Sequence, residues 1–218
     1  MSVGAFNERL RILKRGGARP RAERVSYRLT DKQCRDLIAA IAVSGNINVP
    51  LNRFITIHWE KAGLVGKDAA GATAQYLKYV RDWLYKQGLP FAYVWIREND
   101  YGDGSKGDHV HILAHVPAHC SVGHLQRRWL RAITGNAYIK GTIFTRTIGG
   151  HLEASTVSPE HYHINLIAVA RYALKGGSKG ISEALGLGRW DDGGRVIGTR
   201  TGMSKNLSRA VRDGIVSL

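Results

Sequence analysis

From Thr30 onward, apolar and polar positions fall into short periodic runs. "TDKQCRDLIAAIAVSG" has helical spacing and predicts a helix opened by Thr30 or Asp31 and stopped at Gly45. "NRFITIHWE" alternates, as a strand does, with Ile55 and Ile57 on one face and Phe54, Thr56 and His58 on the other. "DAAGATAQYLKYVRDWLYKQG" predicts a second helix ending at Gly88. "FAYVWIRE" and "DHVHILAHV" read as two strands joined by the polar, glycine-rich "NDYGDGSKG", a hairpin. Ser121 is the expected cap of a third helix over "VGHLQRRWLRAIT", and "GTIFTRTIG" is a further strand. "SPEHYHINLIAVARYALKGG" is a fourth helix, with Pro159 near its start and Gly176 at its end. No internal repeat interrupts this order.

The succession helix, strand, helix, hairpin, helix, strand, helix fits an α+β fold. In it an antiparallel sheet carries helices packed mainly on one face, as in ferredoxin-like and RRM-like folds, and the other face is left free for a ligand. At 218 residues with 44% hydrophobic content the chain can bury a sizeable core. Residues 1–24 read as a basic flexible arm, 25–178 as the main domain, and 179–218 as a basic, glycine-rich extension packed on that domain as loops and a short helix. Charge changes the picture. Thirty-two Lys+Arg against 17 Asp+Glu leave a net +15, which favours a polyanionic partner and above all nucleic acid. Cys34 and Cys120 lack CxxC spacing and are expected as free thiols in a reducing cytoplasm. No apolar run reaches membrane-spanning length, and Glu8 and Arg9 are not followed by the apolar stretch of a secretory signal.

Candidate chemistry sits on the second hairpin strand. Residues two apart share a face, so Val110, Ile112, Ala114 and Val116 turn to the core while His109, His111, Leu113 and His115 face the other way. Two imidazoles about 7 Å apart along a strand can converge on one divalent ion; the alternative is that they are solvated. Glu98, at the end of the preceding strand, is the expected third ligand, with Asp108 and Asp103 as rivals. Its alternation is ambiguous, because it would share a face with the apolar Val94 and Ile96. A second His-x-His, His161 to His163, lies at a helix start, where residues two apart diverge. The His-apolar-His-apolar-His of histidine-triad hydrolases is broken at Leu113.

On the fourth helix, Leu166, Ile167, Ala170, Ala173 and Leu174 form an apolar stripe for packing, and Asn165, Ala168, Tyr172 and Lys175 fall on another side. Tyr172 is a candidate nucleophile that needs a base or electrostatic help, and Lys175 is placed to stabilise a phenolate or grip a phosphate. Arg127, Arg128, Arg131, Arg146 and Arg171 are candidates for tracking a single strand.

In this ordered combination the chain resembles the HUH endonucleases. "HVH" is similar to their His-hydrophobic-His signature, "YALK" to their Y-x-x-K tyrosine motif, and "FITIHW" to their first strand motif. The order strand motif, histidines, tyrosine is that of single-tyrosine replication initiators, and the resemblance covers about residues 50 to 178. It implies an HUH nuclease fold and an enzyme that nicks and rejoins one DNA strand to start rolling-circle replication through a 5′-phosphotyrosine. His109, His111 and Glu98 would then hold Mg²⁺ or Mn²⁺, Tyr172 would be the nucleophile and Lys175 its helper. The implied partners are single-stranded DNA, an origin hairpin, and a host helicase and polymerase, since GxxxxGK[ST] is missing from these residues. Two other readings stand beside it: a transposase of the same tyrosine class, and a non-catalytic RRM-like nucleic-acid binder.

Overall fold

A computed structural model describes residues 23–100, 106–184, 186 and 193–208. Strand β1 (Val25–Ser26) precedes helix α1 (Asp31–Asn46), strand β2 (Arg53–His58) and helix α2 (Gly66–Tyr85). The hairpin β3 (Ala92–Asp100) and β4 (Gly107–His115) leads to α3 (Gly123–Thr134) and β5 (Ile143–Thr147). Then come α4 (Ala154–Val157), α5 (Pro159–Ala173), α6 (Lys179–Ala184), β6 (Val196–Ile197) and β7 (Thr201–Met203). Local chemistry explains several boundaries. Thr30 caps α1 in a reciprocal capping box with Gln33, and Pro159 opens α5, where its missing N–H costs nothing. The third helix differs from expectation. Val122, not Ser121, is its N-cap residue, without a side-chain bond.

Five strands form one antiparallel sheet in the order β5-β2-β4-β3-β7. Its two faces carry separate cores. Ile55, Ile57, Trp95, Val110, Ile112 and Ala114 pack under α2 and α3. On the opposite face Val94, Ile96 and Leu113 pack under α1 and α5. The expectation of helices mainly on one face, with the other left free, is therefore corrected. Apolar residues in β3 and β4 extend to the second face, and burying them requires the α1–α5 layer. What stays accessible is a groove between α5 and the β2–β5 side of the sheet.

The C-terminal stretch also departs from expectation. It supplies β7, an outer strand of the main sheet beside β3, and β6, which pairs with β1. Arg200 is buried and donates to Ser26 and Gly194 carbonyls, tying this stretch to the chain's beginning. A strand of three residues has too little periodicity to be read from its pattern. The basic arm falls outside the described residues except for Glu23 and Arg24. Among the described residues no helix is long and apolar enough to cross a membrane, and Cys34 and Cys120 are buried free thiols.

Candidate metal centre and tyrosine groove

Strand register settles the position of Glu98. It lies directly opposite His109, and Ile96 lies opposite His111, so Glu98 shares the histidine face without any bulge. Val94 and Ile96 share that face because α1 covers them, which removes the ambiguity in the alternation. Glu98 Oε2 stands 3.3 Å from His109 Nε2 and 3.6 Å from His111 Nε2, and all three side chains are buried. Metal-binding atoms of the three residues lie within 4.8 Å of one another, so the cluster can hold a metal ion.

The outer nitrogens make the case stronger. The Gly107 carbonyl, which can only accept, lies 2.7 Å from His109 Nδ1. A neutral ring donating there must turn an Nε2 lone pair toward the Glu98 carboxylate. His111 Nδ1 lies 2.9 Å from the Thr56 hydroxyl, and its Nε2 and Glu98 Oε1 are buried with no hydrogen-bond partner. Converging lone pairs away from water are costly unless a cation lies between them. Burial is the main cause of a lowered pKa at His111, which keeps the imidazole neutral and able to ligate. At Glu98 burial acts to raise the pKa, but the contacts with His109, His111 and Lys175 outweigh it and hold the carboxyl below its ordinary range.

Both rivals drop out. Asp108 points to the other face of the sheet, where it meets buried Arg97 at 2.6 Å and accepts from the Gly66 amide at 2.9 Å. Asp103 lies outside the described residues. His115 is buried too, but its Nδ1 meets the Pro50 carbonyl at 2.8 Å, four residues along the strand from His111. It is a core histidine. These assignments separate two variants. Glu98→Gln should raise the metal concentration for half-saturation by about 10-fold or more, since it removes a charged ligand. Asp108→Asn should leave that titration unchanged yet lower the melting temperature, because a buried Arg97 loses its counter-charge at a cost of about 3–5 kcal/mol. Calorimetric titration with Mn²⁺ and thermal melts would check both.

Tyr172 stands beside the triad. Its ring packs edge-on against His111 at 5.2 Å between centroids and against Phe54 at 6.1 Å. The phenol is half-buried and lines a groove of about 1000 Å³ that also reaches Thr56, His58, Phe144 and Arg146. Tyr162, the competing tyrosine, is buried and donates its hydroxyl to the Leu51 carbonyl at 3.1 Å. Lys175 is not the cation at the Tyr172 hydroxyl. It lies just past the end of α5, buried, with its ammonium 2.7 Å from Glu98 Oε2 and 5.6 Å from the Tyr172 ring centroid. The cation at the hydroxyl is Lys106, with Nζ at 3.5 Å.

No family model, curated protein or solved structure matches this chain. The site therefore rests on its own geometry.

Of the five arginines expected near a DNA strand, only Arg146 lines the groove. Arg127, Arg128 and Arg131 lie on α3, which covers the opposite face of the sheet, and Arg127 stacks over Tyr138. Arg171 lines a separate apolar cleft between α1 and α5, where Ile167 is also exposed rather than buried in the expected stripe. Sequence reasoning had not singled out Thr56, His58, Lys106 or Phe144 as site residues. The alternation of β2 held the signal for the first two, since Thr56 and His58 share the Phe54 face.

His58 has its pKa lowered to about 4, first by burial and then by the neighbouring His109. Burial likewise lowers His111 and His115. An unfolded imidazole takes its proton near the ordinary 6.5 whereas folded His58 resists until about 4, so the unfolded state binds more protons in that window. Stability is complete above it and is lost as pH falls through it. Thermal melts in chelator should show a falling melting temperature from pH 7 to pH 4.5, and a flat profile would contradict the buried neutral histidines.

Proposed function

We propose that the protein is a divalent-metal-dependent endonuclease that nicks and rejoins single-stranded DNA through a 5′-phosphotyrosine, as the HUH resemblance implies. The observation that carries this reading is the juxtaposition of a phenol with a buried carboxylate–bis-imidazole cluster at the wall of one groove. The carboxylate and two imidazoles fit Mn²⁺ or Mg²⁺, and the imidazoles make Mn²⁺ the better match. Once bound, such an ion supplies positive charge to the oxygens of a phosphodiester.

The chain's own residues do the rest. Lys106 stabilises negative charge on the Tyr172 oxygen as its proton passes to groove water. That oxygen attacks phosphorus, the P–O3′ bond breaks, and the departing 3′ oxygen takes a proton from water. One phosphodiester replaces another, so the reverse attack by the 3′-OH rejoins the strand without ATP. Thr56 and the Gly107 carbonyl fix the ring orientations of His111 and His109. Lys175 neutralises Glu98 and buttresses the Tyr172 ring. Initiation of rolling-circle replication at an origin hairpin, with helicase and polymerase from the host, is the biological setting we infer from the order of the motifs. The deciding experiment is a covalent-adduct assay: protein, Mn²⁺ and single-stranded oligonucleotides labelled on either side of the nick. The label 3′ to the nick should migrate with denatured protein, and the label 5′ to it should be released with a free 3′-OH. A metal-independent binder would give neither signal.

A further inference from the structure

The groove extends past the triad to the edge of the sheet. Register places Thr56 opposite His111 on one side and opposite Phe144 on the other, and Phe54 opposite Arg146. Phe144 therefore sits two strand spacings from His111, about 10 Å, on the same face. It belongs to an outer strand and is 54% exposed, unusual for so large an apolar side chain. His58 meets it edge-on at 5.7 Å between centroids. Gly141 brings Lys61 to the same corner, since a methyl group built on that glycine would lie 2.9 Å from Lys61 Nζ and 3.6 Å from the Phe144 ring. Arg146, two residues along the strand, faces the groove as Phe144 does. The one acidic side chain at this wall, Glu60, is engaged, accepting from the Asp108 amide at 2.9 Å.

An exposed ring flanked by two cations has a specific complement. A hydrophobic peptide would gain nothing from Arg146 and Lys61, and a small anion would gain nothing from Phe144. A nucleotide uses both, its base on the ring and its phosphates at the cations. We propose that Phe144, with His58 at its edge and Arg146 and Lys61 beside it, is a stacking subsite for one nucleobase of a single DNA strand, flanking the phosphate that Tyr172 attacks. This rests on the nuclease reading and adds to it a place where the strand is gripped. Stacking accepts any base, so the subsite supplies affinity and register rather than sequence. With one contact point at the triad and another at the sheet edge, the strand must cross β2, over Thr56 and His58.

The test uses the full chain carrying Tyr172→Phe, which keeps DNA intact, with Mn²⁺ and a random-sequence single-stranded oligonucleotide pool. Anisotropy titrations over a range of salt separate stacking from charge. Phe144→Ala should weaken binding about 5- to 150-fold, the loss of one base stack, with an unchanged salt slope. Phe144→Trp should retain affinity, and Phe144→Leu, which keeps apolar bulk without a π-face, should lose it. Arg146→Gln should instead reduce the slope of log K against log salt by about 0.7, one single-strand phosphate contact. In an oligonucleotide that the wild type nicks, 2-aminopurine should be quenched at one position beside the nick and recover in Phe144→Ala. Affinity within twofold of the parent in both Phe144→Ala and Phe144→Leu overturns the subsite, and if wild-type adduct still forms, it overturns the subsite alone. A wild type that neither binds nor nicks any single strand overturns the nuclease reading and the subsite with it.

Discussion

Tyr172→Phe should abolish the covalent protein–DNA adduct and cut nicking by about 10³-fold or more, while the fold and DNA affinity survive. The substitution removes one oxygen and keeps the ring that packs on His111 and Phe54. The phenol's printed partner is Lys106 at 3.5 Å, on the groove side, so no core hydrogen bond is broken. Tyr162 cannot substitute, because its hydroxyl is committed to the Leu51 carbonyl and burial pushes its pKa up to about 12. Lys106→Ala should lower the rate at neutral pH by about 10- to 100-fold and leave some adduct, which separates a helper from the nucleophile. Gel migration of 3′-side label with denatured protein is the readout. An adduct that persists in Tyr172→Phe and maps to another tyrosine would remove Tyr172 from the mechanism.

His111→Ala, or excess chelator, should reduce nicking by about 10²- to 10³-fold, the loss of several kcal/mol of charge stabilisation. His111 is the triad member that lines the groove, with Glu98 and His109 buried behind it. Its removal takes away one of three ligands and the orientation supplied by Thr56. Binding to single-stranded DNA should be largely kept, since basic and aromatic groups elsewhere in the groove are untouched. A second readout is independent of catalysis: Mn²⁺ should raise the melting temperature of the wild type by mass action and raise that of His111→Ala much less. Because burial lowers the His111 pKa, the wild-type response should persist down to pH values where an exposed imidazole, near 6.5, is already protonated. Undiminished nicking in chelator would rule out a metal at this cluster.

Much of this site was legible one strand at a time. The His109–His111 spacing, the shared face of Phe54, Thr56 and His58, and the Asn165–Ala168–Tyr172 side of the helix all follow from periods of 2 and 3.6, and the described structure keeps each of them. Glu98 was the expected third ligand, but its apolar neighbours made its face ambiguous, and only the α1 layer over Val94 and Ile96 explains why a carboxylate and two aliphatic side chains share it. The arginines of α3 misled for the opposite reason. Charge says that a residue is exposed, not which side of a sheet it is exposed on.

The sequence by itself determined the elements that local rules govern: the capping box at Thr30, the proline opening of α5, the alternating strands and the faces within them. Periodicity within one element is a short-range property, so one element's residues are enough to read it. Which cation meets the Tyr172 hydroxyl, which carboxylate meets the histidines, and that a three-residue strand near the end of the described chain completes the sheet were decided by tertiary structure. Lys106 lies 66 residues from Tyr172, and Lys175 lies 77 residues from the Glu98 it neutralises. Contacts at such separations depend on sheet register and helix docking, which the burial of two apolar faces selects together and no single segment encodes.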